Sequence, residues 1–385
     1  MKGDIQIDKM NSKDSNFFIA VFTLMGTIIG SGFLGIPYVV MKSGFSLGLL
    51  NILIIAIIIA VAMLYLGEIT LRTKRIHQLP GYAEKYLGRK GKKIMFLAVS
   101  LGVYSALIAY LIAEGESISY LLFGTIQYSI YMSLFFWFVI SLISYSGIRA
   151  LKKGEPLGMM LMFAMVISIS IILINKIKLD NLSYINLQEI MTPFGVILFA
   201  FLGFTAIPEL RRILNNESGL MKRSILSACL VSSVIYVLFT FFVLGYKGLD
   251  TPEIATIALG APFIILGVIT MFNAYLSHSI AMIDIFTFDF GKRKARAWFY
   301  TISIPIIILI MLELLNRASF TIVMSIGGII SGGIVAIMIL LMVKNAKLNG
   351  ERKPEYSIPY SNFLIWVIAA LMILGAIFEV RSILN

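Results

Sequence analysis

The sequence predicts an all-α integral membrane fold of eleven transmembrane helices. Five plus five of them form an inverted repeat with broken helices 1 and 6, and helix 11 is extra. Three observations predict this. Of the 385 residues, 59% are hydrophobic and only 14% charged, where a soluble domain carries about 25% charged residues. The charges cluster, and the gaps between clusters approach the roughly 20 apolar residues that cross a bilayer. Two of these apolar stretches are interrupted by nearly the same six letters, GFLGIP at 32–37 and GFTAIP at 203–208.

The apolar segments lie at about 17–40, 45–70, 94–122, 126–147, 157–175, 192–213, 223–245, 262–289, 297–315, 319–343 and 361–383. A backbone in lipid must satisfy its own hydrogen bonds, and barrel strands would alternate polar with apolar residues, so the segments read as helices. They form one membrane domain over 1–385, with repeat one at 17–176, repeat two at 192–345 and the extra helix at 361–383. The first sixteen residues mix three Lys with three Asp. The apolar run after them is too long for a signal peptide and has no small-residue cleavage site, so it reads as a retained first helix. Residues 77–93 (HQLPGYAEKYLGRKGKK) predict a turn and a short amphipathic helix along the inner surface. Residues 248–260 (GLDTPEIATIALG) predict an outer cap with a Thr-Pro helix start.

With the N-terminus inside, 26 of the 32 Lys and Arg fall on the inner side. The positive-inside rule then puts the N-terminus in the cytoplasm and the C-terminus outside. It also accounts for the net charge of +12 without a nucleic-acid partner. The single cysteine, Cys229, allows no internal disulfide. With only His77 and His278 beside it, no metal site is expected, and no cofactor is implied.

A helix broken inside a membrane frees backbone groups that cost several kcal/mol each in hydrocarbon, so breaks persist where they face a cavity or ligand. In the first segment, GTIIGSGFLGIP strips side chains from the backbone at Gly26, Gly30, Gly32 and Gly35. The sixth segment has Gly203 and Pro208 in matching order. The competing explanation is close helix packing through small residues. Two breaks, in the first helix of each half, favour a mid-membrane binding site at the interface of inverted repeats. N–H groups after the first break, at Ile29, Gly30, Ser31 and Gly32, suit a carboxylate. Carbonyls near Phe199, Ala200 and Phe201 suit an ammonium. Together they describe the head of an amino acid, held in a hollow between the breaks.

These residues carry a resemblance. GTIIGSGFLGIPYVVMKSG is similar to the first-helix signature of the aromatic and hydroxy amino acid permeases, the tryptophan/tyrosine permease group. More broadly it resembles the amino acid/auxin permeases, and both groups belong to the amino acid–polyamine–organocation superfamily. FAFLGFTAIPEL resembles their sixth helix, SIAMIDIFTFDF part of their eighth, and QLPGYAEKYLGRKGK their loop between helices 2 and 3. The resemblance covers most of 17–345 and implies the five-plus-five fold and amino acid uptake, commonly driven by protons.

Ala200 and Gly203 leave room for a substrate side chain, with Phe199, Phe201 and Phe204 as aromatic walls and Tyr104 reaching from the third segment at mid-depth. No acid lies beside either break, so a neutral amino acid fits best. Coupling needs a titratable or cation-binding group. His278 is the first candidate because imidazole titrates near neutral pH. Glu114 is a further coupling candidate; it lies with Glu116 in the outer part of the third segment, where both are expected at the entrance. Sodium would instead use carbonyls near Gly26 and Ile29 with Asn273 and Ser277. Some proton-coupled relatives carry a Lys in the fifth helix; none stands there here. Glu68 reads as paired with Arg72, and Glu209 with a neighbouring cation. SIGGIISGGIVAI in the tenth segment predicts tight packing combined with gating motion. The reading is a plasma-membrane, proton-driven importer of neutral amino acids, with aromatic ones as candidates, working by alternating access. Sodium symport and an amino acid sensor without transport are the alternatives. A membrane enzyme is disfavoured, since there is no His-Glu-x-x-His helix and no paired Asp-rich loops.

Overall fold

The computed structural model describes residues 2–146 and 154–384, and every regular element among them is helical. Arg149, Lys152 and Lys153 of the expected inner loop lie outside the described residues. In chain order come α1 (Lys2–Ile28), α2 (Ile36–Ser43), α3 (Phe45–Arg72), α4 (Leu79–Phe123), α5 (Ser129–Ser146) and α6 (Gly154–Leu173). A short α7 (Asp180–Ser183) precedes α8 (Thr192–Ala200), α9 (Ile207–Leu214), α10 (Met221–Lys247) and α11 (Ala261–Asp284). The chain ends with α12 (Lys294–Leu314), α13 (Phe320–Gly327), α14 (Gly333–Asn349) and α15 (Asn362–Leu384).

Among the described residues, seven helices are long and apolar enough to cross a bilayer, or eight if the bent pair α1–α2 is one span. Shorter apolar helices stand at Ser129–Tyr145, Met160–Lys176 and Asn362–Phe378. The chain is a multi-pass, all-α membrane protein.

Packing divides the helices into two layers joined by two arms. α1–α2, α3, α8–α9 and α10 pack on one another, as do α4, α5, α11 and α12. α6 packs on α10, α11 and α1, and α13–α14 pack on α3, α4 and α8. Residues 79–93 of the 77–93 stretch belong to α4, which kinks at Gly88, where φ is 75°. That left-handed conformation favours glycine. The arm before it buries Tyr82 and Tyr86, as an amphipathic helix should. The tenth segment is continuous in direction but contains a π-turn at Gly328–Gly332. Gly327 and Gly328 press so closely on Ser105, Gly195 and Phe199 that a Cβ at either would collide.

At the C-terminal end of α3, fully buried Glu68 accepts from Arg72 Nε at 2.9 Å, Lys347 Nζ at 2.6 Å, Ser357 Oγ at 2.8 Å and the Ile358 N–H at 3.0 Å. Two tyrosines support it: Tyr356 donates to the Leu64 carbonyl and Tyr65 to that of Pro359, each at 2.7 Å. The expected Glu68–Arg72 pair is one arm of a larger knot that ties α3 to α14 and the chain after it. Arg211 is not paired with Glu209: its guanidinium donates to the carbonyls of Thr70 and Lys74, and Glu209 is exposed.

Candidate functional site: two helix breaks sharing one hydroxyl

The two near-identical hexapeptides fold alike. α1 ends at Ile28, and a 3-10 turn at Ser31–Gly35 leads into α2. α8 ends at Ala200, and a 3-10 turn at Phe204–Ala206 leads into α9. In each case the second half-helix starts at Ile, with Pro37 or Pro208 in its first turn. A proline there removes a donor that had no intrahelical acceptor, and its fixed φ suits the start of a helix. The first break bends its helix by 49°.

The breaks pack reciprocally. A Cβ on Gly32 would lie 3.3 Å from Ala200 Cα, the last helical residue before the other break. A Cβ on Gly203 would lie 2.6 Å from the Ile28 side chain, the last helical residue before the first. Between them stands Tyr236 of α10. Its hydroxyl donates toward the Ile28 carbonyl at 3.0 Å and the Ala200 carbonyl at 2.7 Å. Its ring lies parallel to Phe33 at 6.5 Å and edge-on to Phe201 at 4.9 Å.

Gly32, Gly203, Ala200, Phe201 and Phe204 are buried, as is Ile29, while Gly30 is partly so. The expected hollow is therefore closed in this conformation: Tyr236 and its aromatic neighbours occupy the ground between the breaks. The Ser31 side chain lies outside the described residues. Phe199 packs against Gly327 at the end of α13 and Gly328 of the π-turn.

Tyr104 does not reach the breaks. Its hydroxyl donates to the Tyr300 carbonyl of α12 at 3.4 Å. The α4 tyrosine that does reach is Tyr110, whose hydroxyl lies 3.3 Å from where a Gly30 Cβ would stand. Six residues turn a helix by about 600°, which puts the two tyrosines on different faces. His278 meets Tyr110 edge-on at 5.7 Å, and its Nδ1 bonds the Ala274 carbonyl at 2.8 Å. Asn273 and Ser277 lie half-buried one turn apart on α11.

Glu114 and Glu116 separate. Glu116 lines an open cleft of 520 Å³ with Tyr120, Thr125 and Glu253, and Glu253 is held by Ser319 at the start of α13. Glu114 has no exposed surface, and neither carboxyl oxygen has a hydrogen-bond partner among the described residues. It sits one turn beyond Tyr110 on the same face of α4. The hydroxyls of Ser117, on that face, and of Tyr275, on α11, are likewise unpartnered.

Comparison with known proteins fits this arrangement. Residues 13–280 match the family model described as the tryptophan/tyrosine permease family. Glutamine transporter 2 of Aliivibrio fischeri is 24% identical over 234 residues, which is 59% of this chain and 60% of that protein. Amino acid transporter AVT1H of Arabidopsis thaliana is 25% identical over 235 residues, 58% of this chain and 54% of its own. Tyrosine-specific transport system 1 of Haemophilus influenzae is 24% identical over 220 residues, 56% and 54% respectively. The matches thus span little more than half the length of these relatives. The family match takes in both helix breaks, Tyr110, Glu114, Tyr236 and His278, and by it the chain belongs to the tryptophan/tyrosine permease family.

Proposed function

We propose that the chain imports neutral L-amino acids across the plasma membrane by proton symport, through alternating access about the two breaks. The observation that carries this reading is the convergence of the Ile28 and Ala200 carbonyls on one hydroxyl. A tyrosine has a single proton to give. An ammonium brings three donors and a charge, so a substrate head group serves both carbonyls better than Tyr236 does. The N–H groups after the first break take the carboxylate. Import begins with Tyr236 yielding this position to the incoming ammonium.

The packing supports an inverted repeat of eleven crossings, in which the three shorter apolar helices also span. Exchange of the halves maps α1 onto α8, α3 onto α10 and α4 onto α11. Under that exchange the neighbours of α6 become the neighbours of α13–α14. The inner placement of most Lys and Arg puts the N-terminus in the cytoplasm and the C-terminus outside. The relatives named for glutamine and tyrosine agree with a neutral substrate.

For coupling, Glu114 is the better-placed of the two candidates. His278 already spends one nitrogen on a backbone carbonyl. Glu114 is sealed with no partner, where charge is costly and an ionisable side chain is a functional feature by default. Tyr110 links it to the Gly30 break.

The test is uptake of the twenty amino acids into proteoliposomes, under an imposed pH gradient and then under sodium alone. Proton-driven accumulation of neutral substrates is expected. Accumulation with sodium only selects the sodium alternative, and binding without accumulation selects a sensor. Glu114→Gln should abolish pH-driven accumulation while sparing substrate exchange; His278→Gln should keep at least part of the drive. Gly32→Val should abolish substrate binding at unchanged expression, because the added methyls separate the two breaks.

A further inference from the structure

The inner ends of α5 and α12 enclose a feature that substrate transport does not use. A groove of 360 Å³ is lined by Leu142, Tyr145, Ala295, Trp298 and Phe299, and its walls are almost wholly apolar. It is firmly built. The Trp298 indole donates to the Ser141 carbonyl at 3.0 Å, fixing the first turns of α12 to α5. Farther along the same seam, Trp137 of α5 returns the bond to the Ile302 carbonyl at 2.9 Å. The Tyr145 ring stands edge-on to Trp298 at 5.1 Å. Leu142, Tyr145 and Phe299 remain more than half exposed.

The chain that enters the groove wall at Ala295 is basic on both sides of it. Lys292, Arg293, Lys294 and Arg296 are all exposed, and none has an acidic partner among the described residues. The basic run leads directly into the groove wall at Ala295 and Trp298. Apolar surface with aromatic walls suits an acyl chain, and four cations adjoining Ala295 in sequence, without an acidic partner among the described residues, suit a phosphate head. Basic pockets at the cytoplasmic ends of membrane helices recognise anionic head groups.

We infer that this groove binds an anionic phospholipid of the inner leaflet, its acyl chain between α5 and α12 and its phosphate against Lys292, Arg293, Lys294 and Arg296. The inward placement of these residues rests on the positive-inside reading; the joining of groove and cations does not. A general attraction of basic loops to an anionic surface would act without the groove, so the test must separate the two.

The test uses the fluorescence of the full chain in phosphatidylcholine nanodiscs, titrated with brominated phosphatidylglycerol or brominated phosphatidylcholine. Trp298 in the groove wall is the reporter, read in a Trp366→Phe background because Trp366 is 74% exposed on α15 and would be quenched by bulk lipid, while half-buried Trp137 contributes equally to every arm. Brominated phosphatidylglycerol should quench at a mole fraction at least fivefold lower than brominated phosphatidylcholine. Exchange of all four cations for Gln should erase that preference. Ala295→Phe fills the groove while leaving every cation, and should erase it as well; Ala295 is exposed, so the fold tolerates the change. Equal quenching by the two lipids in the unaltered chain overturns the inference. So does a preference that survives Ala295→Phe, which would leave only surface charge.

Discussion

At mid-depth one hydroxyl, that of Tyr236, serves two carbonyls. At the C-terminal end of α3 one carboxylate, that of Glu68, is held by four donors from three parts of the chain. Both groups are fully buried, yet their supply of partners is opposite. Glu68 has donors on both of its oxygens, and they come from long side chains and loop backbone that converge only in the folded molecule. Such a knot fixes α3 against α14. Tyr236 has fewer donors than the acceptors around it can use, so a better donor can replace it. Buried polar groups fully satisfied rigidify a structure, and partly satisfied ones leave it able to change. The molecule is fastened at the C-terminal end of α3, and the proposed import needs its breaks to be exchangeable.

The largest effect that would break this comparison is at the knot. Glu68→Ala leaves Lys347 and Arg72 without their carboxylate inside the inner end of the bundle. Loss of one partner of a buried ion pair costs about 3–5 kcal/mol. A large drop in the thermal midpoint of the detergent-solubilised protein is expected. A drop no larger than that of a surface substitution would mean that the knot does not fasten the helices.

Tyr236→Phe comes next. It removes the shared donor and leaves two buried carbonyls unserved, a cost of about 1–3 kcal/mol. The knot and the breaks then differ in a second respect. Substrate should bind the phenylalanine variant more tightly than the unaltered chain, since its ammonium no longer displaces a hydroxyl. Substrate should also restore the lost stability, which no ligand does for Glu68→Ala. Weaker substrate binding would instead make Tyr236 a direct partner of the substrate.

The same contrast explains what the sequence revealed. The breaks were legible because Gly and Pro change the backbone locally, and GFLGIP and GFTAIP prescribe the same 3-10 turn and helix start. Depth along a helix was legible too, which is why a tyrosine of α4 was expected at the site. The face was not: choosing Tyr110 over Tyr104 needs the neighbours of α4. Tyr236 carried no signal at all, because its contacts reach 208 and 36 residues along the chain. Glu68 with Arg72 was visible as an i, i+4 pair, whereas Lys347, Ser357 and Ile358 meet it only through the fold. Closure of the hollow was also hidden, since it depends on which conformation the helices adopt.

The smallest effect sharpens the fastened side by pH. His77, between α3 and α4, stands edge-on to Tyr82 at 5.5 Å. Partial burial, and then the Lys85 cation, push its pKa below the usual 6.5. The folded ring therefore resists a proton that the unfolded chain accepts, so this contribution is present above about pH 6.5 and lost as pH falls below it. Glu351 accepts from Lys85 at 2.6 Å and from the Lys74 N–H at 2.7 Å, and these bonds push its pKa below the usual 4.5. Its contribution is present above that value and lost as pH falls through the depressed one. Acidification should thus loosen the inner face in two steps, first at His77 and then at Glu351. The first is worth less than about 1 kcal/mol, because solvent screens a half-buried ring. His77→Gln should flatten the thermal midpoint between pH 7 and 5.5 and leave the lower step in place, while Glu351→Gln should remove the lower step alone. A midpoint that rises on acidification through the first window in the unaltered chain would reverse the sign assigned to His77.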